Sequence, residues 1–328
     1  MGLCRFSKCG EQMNLVYPDY YNDFRCIADK CRHSCCIGWE IDIDSESLSF
    51  YKTVEGDFGK RLRDNISLED TPHFILDNNE RCPFLNSNNL CDIYTNLGDD
   101  KLCSICREHP RFYNEFDTHT EAGLGLCCEE AARLIITKKD PVKLINLPDI
   151  SGDFVLITRE EILKIFQNRN LSLNERIACA CEYSQSHLQY HIESAVNLPI
   201  SEIAELFKGL ERLDESWTYY LELLEGVESN HEFSGFDADS EFENFIAYLI
   251  IRHLPKAEFV EDAAALTAFV IISQRLIRMI FSAVINEKGD ISLAERLEVM
   301  RLFSSEIEYS DENLEEIFAF FLSRISES

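Results

Sequence analysis

The chain has 328 residues, 45% of them apolar, which allows a substantial core and about two domains and excludes a disordered tail. Its formal charge of −28 repels a phosphate backbone, so no nucleic-acid partner is expected, whereas a basic protein or peptide would be drawn in. The first twenty residues carry no continuous apolar segment of the signal-peptide kind, and Phe6 stands where a myristoylation motif needs Ser or Thr. A cytoplasmic chain is therefore expected, and in that reducing compartment clustered cysteines are metal ligands or redox centres rather than disulfides.

In chain order, Cys4 and Cys9 stand outside the dense clusters and read as free thiols. From Tyr17 the run YPDYYNDFRC brings turn chemistry and three tyrosines, and Arg25–Ile43 then crowds Cys26, Cys31, Cys35 and Cys36 together. The alternation of Trp39, Ile41 and Ile43 predicts a strand. Ser45–Tyr51 and the segment around FGKRLRDN predict helices, scaffolding between this cluster and the next. Arg81–Arg111 adds Cys82, Cys91, Cys103 and Cys106, with Ser104 and Ile105 turning the last two sulfurs toward one centre. Gly123–Arg133 supplies Cys127 and Cys128 ahead of a helix, so twelve of the fourteen cysteines precede residue 129. Thiolates are the soft ligands that zinc and iron–sulfur clusters prefer. Arg107 and Arg111 would offset the negative charge of such a centre. Cys35 and Cys36 are adjacent and should diverge, so that only one faces the metal.

Beyond residue 135 the pattern is helical. Thr158 with Glu161 and Ser172 with Glu175 have capping-box spacing. Further helices are predicted over Ser201–Leu213, Trp217–Leu224, Phe242–Ile251, Glu261–Asn286 and Ser310–Ser328. The longest apolar run is broken by Ser273, Gln274, Arg275 and Arg278, which favours a buried helix over a membrane span. The expected fold is mainly α: a small irregular cysteine-rich metal-binding region, 1–135, packed on a helical bundle, 136–328.

CPFL, LCDIY and CREHPR, with the upstream CxxxCC and the following CEEAARL, together resemble the flagellin lysine N-methylase family of bacteria. REEILKIFQNRNLSLNERI and ENFIAYLIIRHLPKA resemble that family's helical part, so the likeness runs from about Tyr17 to the last helix. More distantly the pattern resembles cysteine-rich zinc- or iron-chelating domains. The resemblance implies a protein-lysine N-methyltransferase acting on flagellin, with S-adenosylmethionine as methyl donor and a cysteine-ligated iron–sulfur cluster, [4Fe–4S] in type, or zinc in its place. Its motifs map the ligand candidates onto Cys31, Cys35, Cys36, Cys82, Cys91, Cys103, Cys106 and Cys128, and leave Cys127 as an extra.

The residues themselves show no Gly-rich loop after a strand for the methyl donor, and no CxxxCxxC triplet. Tyr20, Tyr21, Tyr94 or Tyr113 could line a channel for a lysine stem, and no general base is identifiable. Two further readings stay open: a non-enzymatic metal-binding or redox-sensing protein, and a structural zinc module on a helical adaptor with a basic partner.

Overall fold

The computed structural model describes residues 14–226 and 239–327. Cys4 and Cys9 lie outside the described residues. β1 (Asn14–Pro18) opens the described chain and is followed by the irregular cysteine loop. Helix α1 (Ser45–Thr53) starts where the Asp44 carboxylate accepts the N–H of Ser47 at 2.9 Å, and α2 (Gly56–Asp64) follows. A minimal hairpin, β2 (Ile66–Ser67) with β3 (His73–Phe74), and two short helices, α3 (Asp92–Leu97) and α4 (Ser104–Glu108), complete this region.

The strand expected at Trp39–Ile43 does not form: Trp39 lies in a bend, and only Asp42 makes an isolated bridge. Its alternation was read rightly, since Ile41 and Ile43 are both buried. The partner segment limits the pairing. Pro72 can accept from the N–H of Ile43 at 2.7 Å but has no N–H to return, and Phe74 donates to Ile41 at 3.1 Å, leaving a single bridge between Asp42 and His73.

A four-stranded sheet joins the two ends of this region. Its order is β4 (Arg111–Glu115), β5 (His119–Leu124), β1, then β6 (Leu144–Ile145). β1 runs parallel to β5 with Asn14 opposite His119, and the other two pairings are antiparallel. Every residue of β5 is buried. The chain then turns into α5 (Glu129–Ile136).

Apart from one antiparallel pairing, β7 (Tyr190–His191) with β8 (Ser326–Glu327), the remainder is helical: α6 (Phe154–Phe166), α7 (Leu173–Tyr183), α8 (Glu193–Val196), α9 (Ile200–Gly209), α10 (Glu215–Glu222), α11 (Asp239–His253), α12 (Val260–Lys288), α13 (Leu293–Phe303) and α14 (Asp311–Leu322), the last ending short of the Ser328 expected for it. The Ser172–Glu175 capping box is made in both directions, at 3.3 and 2.7 Å. Thr158 caps nothing. Helix α6 starts at Asp153, whose carboxylate accepts the N–H of Leu156 at 3.0 Å, and Thr158 is buried a turn further in. Helix α13 was not anticipated. Helix α12 is long and apolar enough to cross a membrane, yet most of its apolar window is buried, and the interrupting Ser273 and Gln274 are fully enclosed.

Two apolar cores result. A large one gathers Tyr20, Phe24, Leu124, Leu126 and α5 with the helices from α6 onward. A small one contains Ile41, Ile43, Tyr51, Leu62, Phe74, Phe84, Leu85, Ile93, Cys82 and Cys103.

Candidate metal centre

The small core is also where thiols collect. Cys82 and Cys103 belong to it, and Cys36, Cys91 and Cys106 pack against it. Cys36 and Cys82 arrive together because their segments lie side by side: the N–H of Cys82 donates to the Cys36 carbonyl at 2.8 Å, and Ile37 bridges Arg81. Cys91 is placed by its bridge to Leu85.

Three candidates occupy one position relative to a helix. Cys91 precedes α3, Cys103 precedes α4 and Cys128 precedes α5. First-turn N–H groups have no partner inside their helix, and those of Tyr94, Cys106 and Ala131 favour the ionised form of the sulfur before them. Burial opposes this. It pushes Cys91 up, and lifts Cys128 and Cys82 to about 12. Cys103 is lowered, chiefly because the Cys106 thiol donates to it, and the same bond holds Cys106 high, so this pair retains one shared proton.

Cys35 and Cys36 turn toward each other, against the expectation that they diverge. They occupy the two central positions of a turn closed by the Ile37 N–H on Ser34 at 3.1 Å, where neighbouring side chains do not alternate as in a strand. The Cys35 thiol donates to Cys36, which falls to about 7 against the effect of burial, helped by Ser34 and the charge of Arg81. Cys35 is raised by the same bond.

Cys31 and Cys128 form a second group beside α5. The backbone N–H and Nε of Arg32 each donate to the Glu129 carboxylate at 2.9 Å, and the Cys31 sulfur lies 3.8 Å from Glu129 Oε2. Electrostatic coupling links Cys31 with Cys128, and Cys35 with both Cys128 and Cys26. Cys106 in turn feels the charge of both Cys35 and Cys36. Cys26 was not among the named candidates, although its place in the crowded upstream run was the available signal. Among the described residues, no three His, Cys, Asp or Glu side chains are grouped so as to hold a metal ion as they stand. The donor chemistry nevertheless fits a thiophilic group: the gathered side chains are sulfurs, and a soft cation relieves the mutual repulsion of their thiolates.

Other assigned residues lie elsewhere. Cys127 is buried against Tyr309 and near Arg252, whereas Cys128 packs on the edge of the large core; burial raises Cys127 to about 11. Gly125 permits this approach, because a Cβ there would fall 2.3 Å from the Tyr309 hydroxyl. Arg107 pairs with Glu108 at 3.3 Å, and Arg111 lies over Tyr21 and Phe24, so Arg81 is the arginine that acts on a candidate thiol. Tyr20 is buried, Tyr94 is exposed and Tyr113 donates to Glu108 at 2.7 Å.

A buried polar network that sequence reasoning missed centres on Glu308. It accepts from Tyr248 at 2.7 Å, meets His253 Nε2 at 2.6 Å, and pairs with Arg252 at 3.3 Å. The Arg252 guanidinium also lies over Phe112 and Tyr309. The spacing Tyr248, Arg252 on one helical face was its signal, but Glu308 comes from more than fifty residues away.

Comparison with known proteins gives relatives in two groups. The chain is 24% identical over 172 residues to the flagellar biosynthetic protein FliU of Salmonella muenchen, a match covering 49% of this chain and 96% of that one. It is 26% identical over 170 residues to the lysine-N-methylases of Salmonella choleraesuis and Salmonella typhimurium, covering 48% of this chain and 42% of theirs. The match thus spans less than half the length of these methylases. No family profile and no solved structure matches. The likeness to flagellin lysine N-methylases read from the cysteine pattern is borne out by these names, over about half of the chain.

Proposed function

We propose that the protein is a protein-lysine N-methyltransferase that takes its methyl group from S-adenosylmethionine and acts on flagellin. The observation that carries this is the similarity to proteins named lysine-N-methylase over about half the chain. In the reaction a lysine ammonium first loses a proton. The neutral amine then attacks the methyl carbon in line with its bond to the sulfonium, the carbon–sulfur bond breaks, and S-adenosylhomocysteine leaves.

The reading includes a cysteine-held iron–sulfur cluster, whose ligands come from Cys31, Cys35, Cys36, Cys82, Cys91, Cys103, Cys106 and Cys128. Such a group, when bound, supplies redox capacity and a cross-link between distant segments. The protein's own contribution is placement. Arg32 to Glu129 and His33 to Glu298, at 2.9 and 2.8 Å, hold the cysteine loop against α5 and α13, and Trp39 meets Tyr309 edge-on at 5.6 Å. The net charge of −28 attracts a lysine-bearing partner.

The test is incubation of anaerobically purified protein with flagellin and methyl-labelled donor. Label on flagellin lysines is the expected result, and its absence with metal-loaded protein would sink the reading. Iron with matching sulfide supports the cluster, whereas zinc alone overturns it.

A further inference from the structure

Cys82 and Cys91 stand at the two ends of a loop, CPFLNSNNLC, that is tied to itself at several levels. The N–H of Leu85 donates to the Cys82 carbonyl at 3.1 Å, and that of Asp92 to the Phe84 carbonyl at 2.7 Å. At the tip, the Asn86 amide oxygen accepts the N–H groups of Asn88 and Leu90 at 2.9 and 3.1 Å, while its amide nitrogen donates to Asp92 Oδ1 at 2.9 Å. Arg81, the residue before Cys82, reaches the same tip and donates to the Asn86 carbonyl at 2.9 Å and to Asn89 Oδ1 at 3.0 Å.

A further tie comes from outside the loop. Arg61, on α2, donates through Nη1 to Asp92 Oδ2 at 2.6 Å and through Nη2 to the Pro83 carbonyl at 2.5 Å. Its guanidinium also lies over the fully buried Phe84, 5.2 Å from the ring centroid. One planar group thus grips the residue after Cys82, the residue after Cys91 and the ring beside them, which a point-charge ammonium could not do. The neighbouring Leu62 is fully buried in the small core and fixes the face of α2 on which Arg61 lies. None of these contacts uses a sulfur atom, so the grip does not depend on what the thiols hold. The Arg61 side chain is 41% exposed, and an ion pair at that exposure contributes little to global stability. Its consequence falls instead on the geometry of the two sulfurs, because ordering a loop costs conformational entropy that a bound metal would otherwise have to offset.

We propose that Arg61 is a positioning residue of the metal centre, holding Cys82 and Cys91 at a fixed separation so that the metal they ligate is released slowly. The proposal rests on the reading of these two thiols as ligands.

The experiment times metal release from the anaerobically purified full chain into excess chelator, ferrozine for iron and 4-(2-pyridylazo)resorcinol for zinc. Arg61→Ala should speed release about ten- to a hundredfold, the range for losing a residue that orients a metal ligand. Arg61→Lys keeps the charge but engages one acceptor at a time, so its release should fall between the two. Arg63→Ala is the control from the same helix: Arg63 donates to the Val54 carbonyl at 2.7 Å, away from the loop, and its loss should leave release unchanged. Hydrogen exchange of α1 and α2 in the metal-loaded Arg61→Ala variant should match the wild type. Unchanged release in Arg61→Ala, equal acceleration by Arg63→Ala, or lost protection of α1 and α2 while metal is still bound overturns the assignment. Wild-type protein without thiol-bound metal removes the centre itself and the role of Arg61 with it, whereas bound metal whose release ignores Arg61 removes that role alone.

Discussion

The two cores are stabilised by different means. Among the described residues about sixty are buried around α12, and Phe207, Trp217 and Phe245 each meet Phe303 directly. Around Cys82 and Cys103 only ten of the described residues are buried, two of them cysteines, and they support two longer helices, two short ones and a hairpin of two-residue strands. A core that small is marginal by itself, and a metal cross-link can make up the deficit because its binding free energy becomes folding free energy. On the proposed metal-bound reading, packing sustains the large core without the metal, while the small core draws on the cross-link its thiols would hold.

The strongest challenge to that contrast is Cys103→Ser combined with Cys106→Ser. Metal should be lost and, with a stabilisation of order 10 kcal/mol removed, amides of residues 41–106 should lose protection against hydrogen exchange while α11 and α12 keep theirs. Uniform loss across both cores would erase the distinction. In the large core, Phe303→Ala should cost about 3–5 kcal/mol by leaving a cavity under three aromatic neighbours, measured by denaturant unfolding, with metal content unchanged.

Glu308→Gln should cost about 3 kcal/mol by leaving Arg252 without its charge partner. The wild type should also show the pH dependence of this network. Burial would raise the Glu308 carboxyl, but Arg252 and His253 hold it near 2 rather than 4.5; burial holds His253 near 4 rather than 6.5. Both groups bind fewer protons folded than unfolded, so stability should fall as pH drops from about 6.5 toward 4, and further below 4.5 as Glu308 is titrated. Thermal unfolding that is flat between pH 7 and 4 would contradict this. The smallest effect expected is from Ser172→Ala, about 1 kcal/mol from the lost cap of α7, with no change in metal content.

Legibility followed the range of the interaction. The Ser172 cap and α12 could be read because both depend on residues within a few turns. Thr158 misled because its capping spacing is met equally by a residue inside a helix, and only Asp153, with its carboxylate on Leu156, shows where α6 begins. Arg107 and Arg111 looked like charge partners through adjacency in sequence, but Glu108 and the rings of Tyr21 and Phe24 engage them, leaving Arg81 to act on Cys36.

The sequence alone determined that the chain is mainly helical, that its sulfurs gather in the first 128 residues, and that it resembles lysine methylases, because periodicity and motif spacing are local properties. Only the tertiary structure decided that Cys127 meets Tyr309 while Cys128 packs on the edge of the large core, that Cys35 and Cys36 turn toward each other, and that Glu121 is shared by His119 and Arg159. These contacts depend on which segments the sheet pairing and helix packing bring together, and residue spacing along the chain does not encode that.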